Sequence, residues 1–229
     1  MTLDFIQIYF KDEHLPALYP FAKPYNNEGK CTDAFENQVI ADLVPQCTAD
    51  LIGICSWRLR EKRNESSTPL ILNRKYGNHD LTEERILSTP FDVAILTPRN
   101  DQHRPLLNAS QWHGQAWNVA FPVLKRWLFN ELHIKVPDEL SRAIYENHFI
   151  AGRDIYHEYV RSCLIPAIGF VSNDPVFMAD AGYGKRIGAV RLREYQQRTG
   201  RIDYPIAPFI LERLFSIWIE GKNLNVLPL

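Results

Sequence analysis

The chain has 229 residues, of which 45% are hydrophobic and 23% charged, and its net charge is −1. That length and apolar content suit one α/β domain, 1–229, with a substantial core. The balanced charge excludes the basic footprint of a nucleic-acid-binding protein or a polybasic membrane anchor. No apolar run reaches bilayer length and the N-terminus lacks a signal-peptide pattern, so a cytoplasmic protein without a transmembrane segment is expected. Cys31, Cys47, Cys55 and Cys163 are scattered, and no His-x-x-x-His pair occurs, which predicts reduced thiols and no zinc site.

In chain order, Leu3 to Phe10 reads as a first, central strand. Pro16, Pro20 and Pro24 follow too closely for a helix, and Tyr25 to Gly29 is a turn. Thr32 or Asp33 caps a predicted helix over Ala34 to Val44, with Phe35, Val39, Ile40 and Leu43 on one face and Pro45 as its stop. Leu51 to Trp57 is a second strand, apolar enough to be covered on both faces. Arg58, Arg60, Lys62 and Arg63 come directly after it. A short helix begins at Thr82 and ends near Ser88, and Phe91 to Thr97 is a third strand.

Trp112 to Phe129 is predicted mostly helical, divided or kinked at Gly114 and Pro122, and Pro137 opens another short helix. Tyr145 to Ile150 reads as a fourth strand, after which Gly152 turns the chain and Asp154 caps a helix carrying Ile155, Tyr159, Val160 and Cys163 on one side. Phe170 to Gly188 reads as a loop, and Arg191 to Arg198 as a helix. Pro205 and Pro208 suit the start of a helix whose residues Phe209 to Ile219 are apolar almost all round, hence buried. Glu212 and Arg213 interrupt it, either as a structural ion pair or as the polar rim of a site. Asn225 to Leu227 adds a short strand. Strands alternating with helices give an α/β class with a mainly parallel or mixed sheet.

Ligands of open α/β sheets bind beyond the carboxyl ends of strands. That rule selects Arg58 and Arg60 after the second strand, Arg99, Asn100 and Asp101 after the third, and Gly152 and Arg153 after the fourth. Guanidinium groups at such positions bind phosphate bidentately. Ala181 to Gly188 joins three glycines to Lys185 and Arg186, which suits a loop over a diphosphate as well as an ordinary surface loop. It has neither Walker A spacing nor a preceding strand, and no Gly-x-Ser-x-Gly elbow is present. Trp112, His113, Gln115, Trp117 and Asn118 mix aromatic faces with hydrogen-bonding groups, a combination that suits sugar rings as well as core packing.

Four stretches in order carry a resemblance. They are Leu51-Ile52-Gly53-Ile54-Cys55-Ser56-Trp57-Arg58, Phe91 to Leu96, Asn147-His148-Phe149-Ile150 running into a helix to Tyr159, and Tyr195, Gln197 and Arg198 with Glu212-Arg213-Leu214-Phe215-Ser216-Ile217-Trp218. Together they resemble a family of bacterial glycosyltransferase-like proteins encoded among capsule and surface-polysaccharide genes, long described as a domain of unknown function. The resemblance spans Leu3 to Leu227 and implies a GT-A-like fold that moves a sugar from a nucleotide-sugar donor to a glycan acceptor. By that analogy Arg58 faces the nucleotide or its diphosphate, Asn147 lies near a sugar, and Glu212 and Arg213 line the site. Ser56 and Trp57 stand where the family has His and Tyr, and Leu59 replaces a second Arg. The chain has no Asp-x-Asp, with which many such enzymes hold manganese or magnesium against the diphosphate. The implied chemistry needs fixed cations for the departing diphosphate, for which Arg58, Lys185 and Arg186 are candidates. It also needs a carboxylate for the acceptor's proton, for which Glu212 and Asp92 are candidates. The alternative is a relative that binds a nucleotide or glycan without catalysis.

Overall fold

A computed structural model describes residues 1–30, 34–60, 81–96, 106–107, 120–137, 139–140, 144, 147–178, 193, 196–197 and 207–229. The fold is α/β. Its main sheet has six strands: β1 (Leu3–Tyr9), β2 (Lys23–Asn26), β3 (Leu51–Ser56), β4 (Val93–Ile95), β7 (Phe149–Gly152) and β8 (Val226–Pro228), in the order β2-β1-β3-β7-β4-β8. All run the same way except β7, which lies antiparallel between β3 and β4. A separate two-stranded ribbon pairs β5 (Leu106–Leu107) with β6 (Glu139–Leu140). The first strand is therefore flanked on both sides but stands one place in from an edge.

β3 is buried at every position, as its uninterrupted apolar run demands. Ile52 and Ile54 face one core, and Leu51 and Cys55 face the other. The larger core is covered by α1 (Glu36–Leu43), α3 (Ala120–Leu132), α4 (Arg153–Tyr159), α5 (Ile165–Asn173), α6 (Pro175–Met178), α7 (Ala207–Leu211) and α8 (Leu214–Ile219). α2 (Glu83–Ser88) closes the smaller core with Tyr19, Leu59 and Leu81, and Thr82 caps it by accepting the Arg85 N–H at 3.2 Å. Gly53 sits where a Cβ would come within 2.7 Å of the Phe5 ring and 2.9 Å of Ile150. The absent side chain is what lets those residues close over the middle of the sheet.

Both edge strands carry a proline, Pro24 in β2 and Pro228 in β8. A proline has no N–H to offer a further strand, so it is tolerated at an edge and discourages pairing there. That explains why Lys23–Asn26 is a strand although it contains Pro24 and overlaps the turn expected at Tyr25 to Gly29. Pro45 does not end the first helix outright, because a 3-10 turn over Val44–Gln46 follows it. Glu139 lies in a strand rather than a helix, since its partner across the ribbon, Leu107, is distant in sequence. Asp154 pairs with Arg153 at 3.3 Å instead of capping α4. Helical structure runs from Arg153 to Asn173 through a π-type turn at Val160–Leu164, just ahead of Pro166, which has no N–H to give.

The apolar C-terminal stretch is buried as expected, with every residue of α8 out of water. Its helix is broken in two at Glu212 and Arg213. Phe215 stacks on Phe149 of the sheet at 3.9 Å and meets Tyr159 edge-on at 4.8 Å, which fixes α8 beneath β7. Among the described residues no helix is long and apolar enough to cross a membrane.

Candidate functional site

The parallel strands define a carboxyl edge, shared with the amino end of β7. β1 connects to β2 on one side of it, whereas β3 lies on the other side. The order thus reverses between β1 and β3, and a crevice outside the carboxyl ends at such a reversal is where open α/β sheets bind ligands.

Trp57 and Arg58 follow β3 directly at this point. The Trp57 N–H donates to the Ile8 carbonyl at 2.9 Å, tying the two strand ends together. His14, on a 3-10 helix over Asp12–Ala17, stacks flat on the Trp57 indole at 3.9 Å. Its Nδ1 accepts the Phe10 N–H at 3.3 Å, and burial holds its pKa below the usual 6.5 against the opposing pull of Glu13. The Arg58 guanidinium carbon lies 6.0 Å from the centre of the Trp57 ring, and its backbone N–H donates to Ser56 Oγ at 3.1 Å. Leu59 is fully buried in the smaller core, so the position at which the resembled family has a second Arg is here a packing position.

The buried polar residues among those described are Gln7, Asn27, Asn37, Ser56, Asn147, His148 and Ser216. Each lies at this edge or is bonded to it. Gln7 donates to the Ser56 carbonyl at 3.2 Å and accepts the Tyr19 N–H at 2.6 Å. The Asn27 N–H donates to the Tyr9 carbonyl at 2.8 Å. Ser216 Oγ accepts the Ile144 N–H at 2.8 Å in the segment leading to β7. Buried amides and hydroxyls cost free energy unless they are paired, so their gathering at one edge is a built feature of the fold.

Asn147 stands at the head of β7 with φ of 55°, and Phe35, just before α1, has φ of 50°. Backbone held in that region by residues other than glycine marks strain that the surroundings must sustain. Asn147 Nδ2 donates to Asn37 Oδ1 at 3.1 Å. Asn37 Nδ2 donates in turn to the carbonyls of Ala34 at 3.1 Å and Pro208 at 3.3 Å. The Pro208 carbonyl also accepts the Glu212 N–H at 3.0 Å. Arg213 Nη1 donates to the Phe209 carbonyl and lies 3.6 Å from Glu212 Oε2, with both side chains largely shielded from water.

Of the residues selected from the sequence, Asn147 is therefore linked through Asn37 and the Pro208 carbonyl to the backbone of Glu212, and Arg213 pairs with Glu212. Arg58 shares the edge, two residues beyond the end of β3. Asp92 does not join them. Register places Val93 opposite Ala151 and Leu51 opposite Gly152, so Asp92 is level with the start of β3. The end of β3 is about 17 Å away at the usual rise per residue. The Asp92 carboxylate accepts the Asn225 N–H at 2.7 Å and anchors β8. Arg153 is also at this far edge, donating to the Thr48 carbonyl at 3.2 Å, because β7 runs backwards and its carboxyl end points the other way. Lys185, Arg186, Arg99, Asn100, Asp101 and the cluster from Trp112 to Asn118 lie outside the described residues.

Reading the sequence missed Asn37, Glu36, Gln7 and His14. Asn37 falls in line with Ile40, Ala41 and Val44 on the buried side of α1, and a polar residue inside an apolar stripe was the available signal. Glu36 begins α1, and its charge reaches Cys55, whose thiol is pushed up first by burial and then by that carboxylate. Among the described residues no three His, Cys, Asp or Glu side chains converge as metal ligands would. No family model matches the chain, and neither a curated protein nor a solved structure matches it.

Proposed function

We propose that the chain is a GT-A-type glycosyltransferase of surface-polysaccharide synthesis, with its nucleotide-sugar donor seated at the carboxyl ends of β1 and β3. The observation that carries this reading is the reversal of strand order between β1 and β3, with Arg58 immediately beyond it. In the reaction an oxygen of the glycan acceptor forms a bond to the anomeric carbon of the donor sugar. The bond from that carbon to the diphosphate oxygen breaks, and the nucleoside diphosphate leaves with the electron pair. Arg58 stabilises the charge gained by the leaving group. The acceptor proton passes to a carboxylate, and we assign that role to Glu212, since Asp92 is held by Asn225 at the opposite edge.

A thermal-shift screen of UDP-, GDP-, CMP- and TDP-sugars, with and without manganese, tests the reading. A donor at about a hundredfold over its dissociation constant stabilises by roughly 2.7 kcal/mol, or about 5–10 °C in Tm for a chain of this length. The Arg58→Ala variant should lose most of that shift while unfolding within about 2 °C of wild type when no ligand is added. Flat traces across all donors would overturn the proposal.

A second reading, a relative that binds the nucleotide or glycan without transfer, is favoured by the engagement of Asp92 with Asn225 at the opposite edge. Stabilisation by a donor with no release of nucleoside diphosphate in the presence of glycan acceptors would select it.

A further inference from the structure

We infer that Asn37 is a positioning residue, which sets the height of the Glu212–Arg213 break against the head of β7. Its carboxamide has two N–H donors, and both are spent on main-chain carbonyls, those of Ala34 and Pro208. Its oxygen takes the Asn147 amide. Asn37 is 1% exposed and Asn147 3%, so water has no ready access to replace these bonds. The residue is therefore committed to the protein and has no donor left for a ligand. What it joins is distant in sequence: 110 residues separate it from Asn147 and 171 from Pro208.

The Pro208 carbonyl is the pivot. It receives the Asn37 amide from α1 and the N–H of Glu212, the residue just past α7. Any shift of α1 against β7 is thus passed to the residue whose backbone carries the Glu212 carboxylate and, one position on, the Arg213 guanidinium. A carboxamide is suited to the task because its planar group donates on one side and accepts on the other. An aspartate of the same shape would set an acceptor against two carbonyls. The inference uses the proposed function only for what Glu212 and Arg213 act on. The linkage itself is tested without a ligand, so a flat nucleotide-sugar screen and a failed linkage are separate results.

The test is residue-resolved amide hydrogen exchange on the full chain, corrected for intrinsic rates, at pH 8 and pH 5. In Asn37→Asp the ionised carboxylate repels the Pro208 carbonyl at pH 8, and the Glu212 and Arg213 amides should exchange at least tenfold faster than in wild type. Ile52 and Ile54 of β3 should stay within threefold. Burial beside two carbonyls raises the introduced carboxyl's pKa, so at pH 5 its protonated form regains one donor, and exchange at Glu212 should return toward wild type. Asn37→Leu, which has no donor, should exchange fast at both values. If Asn37→Asp does not fold, Asn37→Ser, which has a single donor and does not titrate, should show the same selective acceleration at Glu212 and Arg213 at both pH values, with β3 unchanged. Unchanged protection at Glu212 and Arg213 would overturn the inference. So would equal acceleration in β3, or an Asn37→Asp variant with no recovery at pH 5, because each describes a general packing role instead.

Discussion

At the amino-terminal edge of the sheet, Asp4, Asp50, Asp92 and Arg153 reach water and bind the backbone or side chains of neighbouring segments. At the carboxyl edge, Gln7, Asn37, Ser56 and Asn147 make comparable bonds out of water. Asp4 pairs with Lys23 and accepts the Ala49 N–H at 3.3 Å, and Asp50 accepts the Thr2 N–H at 2.7 Å. Asp50 and the Lys23 partner of Asp4 keep much of their hydration, so each pair costs little and contributes little. Neutral amides at the other edge have lost hydration altogether, and each bond left unmade there carries a full desolvation penalty. A fold that accepts such a penalty at one edge and avoids it at the other has its shape-critical surface at the first. The amino edge pins chain ends; the carboxyl edge holds separate segments at fixed positions.

Substitutions at three positions test how far that contrast goes. The largest effect is expected from Phe215→Ala, since Phe215 is fully buried beneath β7. Loss of about 3–5 kcal/mol in urea denaturation is expected, with both edges losing hydrogen-exchange protection together. If only the carboxyl edge loosened, the two edges would be separate folding units and the contrast would have a different origin.

Next comes Asn147. Alanine there both orphans the Asn37 oxygen and leaves a φ of 55° without a side chain that favours it. A loss of about 3 kcal/mol is expected for Asn147→Ala. Glycine adopts that backbone freely, so Asn147→Gly should lose only about 1–2 kcal/mol, mostly from the missing amide bond. Equal losses in the two variants would show that the left-handed backbone contributes nothing.

The smallest effect belongs to the amino edge, where Asp4→Asn should cost about 0.5–1 kcal/mol at pH 7. The hydrogen bond from Lys23 holds the Asp4 carboxyl below its ordinary 3.8, with burial opposing. A carboxyl depressed in the folded state contributes stability that is complete above the unfolded value and lost as pH falls through the folded one. Tm of the wild type should therefore drop below about pH 4, and the drop should be shallower in Asp4→Asn. Lys23 is raised above its ordinary 10.5 by the same bond, so its share is complete below that value and lost as pH rises through the raised one. An unchanged acid limb in Asp4→Asn would assign the transition to other carboxylates.

Much of this was legible in the residues. The apolar run at Leu51 announced a strand covered on both faces, and Thr82 with its following glutamates announced the start of a short helix. The all-round apolar character of Leu214 to Ile219 announced burial. Arg58 was placed correctly because a strand followed by a cation is a local pattern, and the strand runs with the majority. The same rule misplaced Arg153, since strand direction is not written in a strand's own composition. β7 and β3 look alike as apolar runs, yet one is reversed. Asp92 was selected beside a strand of the right type but stands at its wrong end. Asn37 escaped notice because its partners, Asn147 and Pro208, are contributed by segments far along the chain.

The sequence by itself determined which segments are buried, where the short helix at Thr82 begins, and that a cation follows the second apolar strand, because propensity and periodicity act within a few residues. Tertiary structure alone decided which ends of the strands share an edge, and hence that Asn147, Asn37 and Glu212 meet while Asp92 turns away. Strand direction and pairing are set by the summed packing of both cores, and no short stretch of chain encodes that sum.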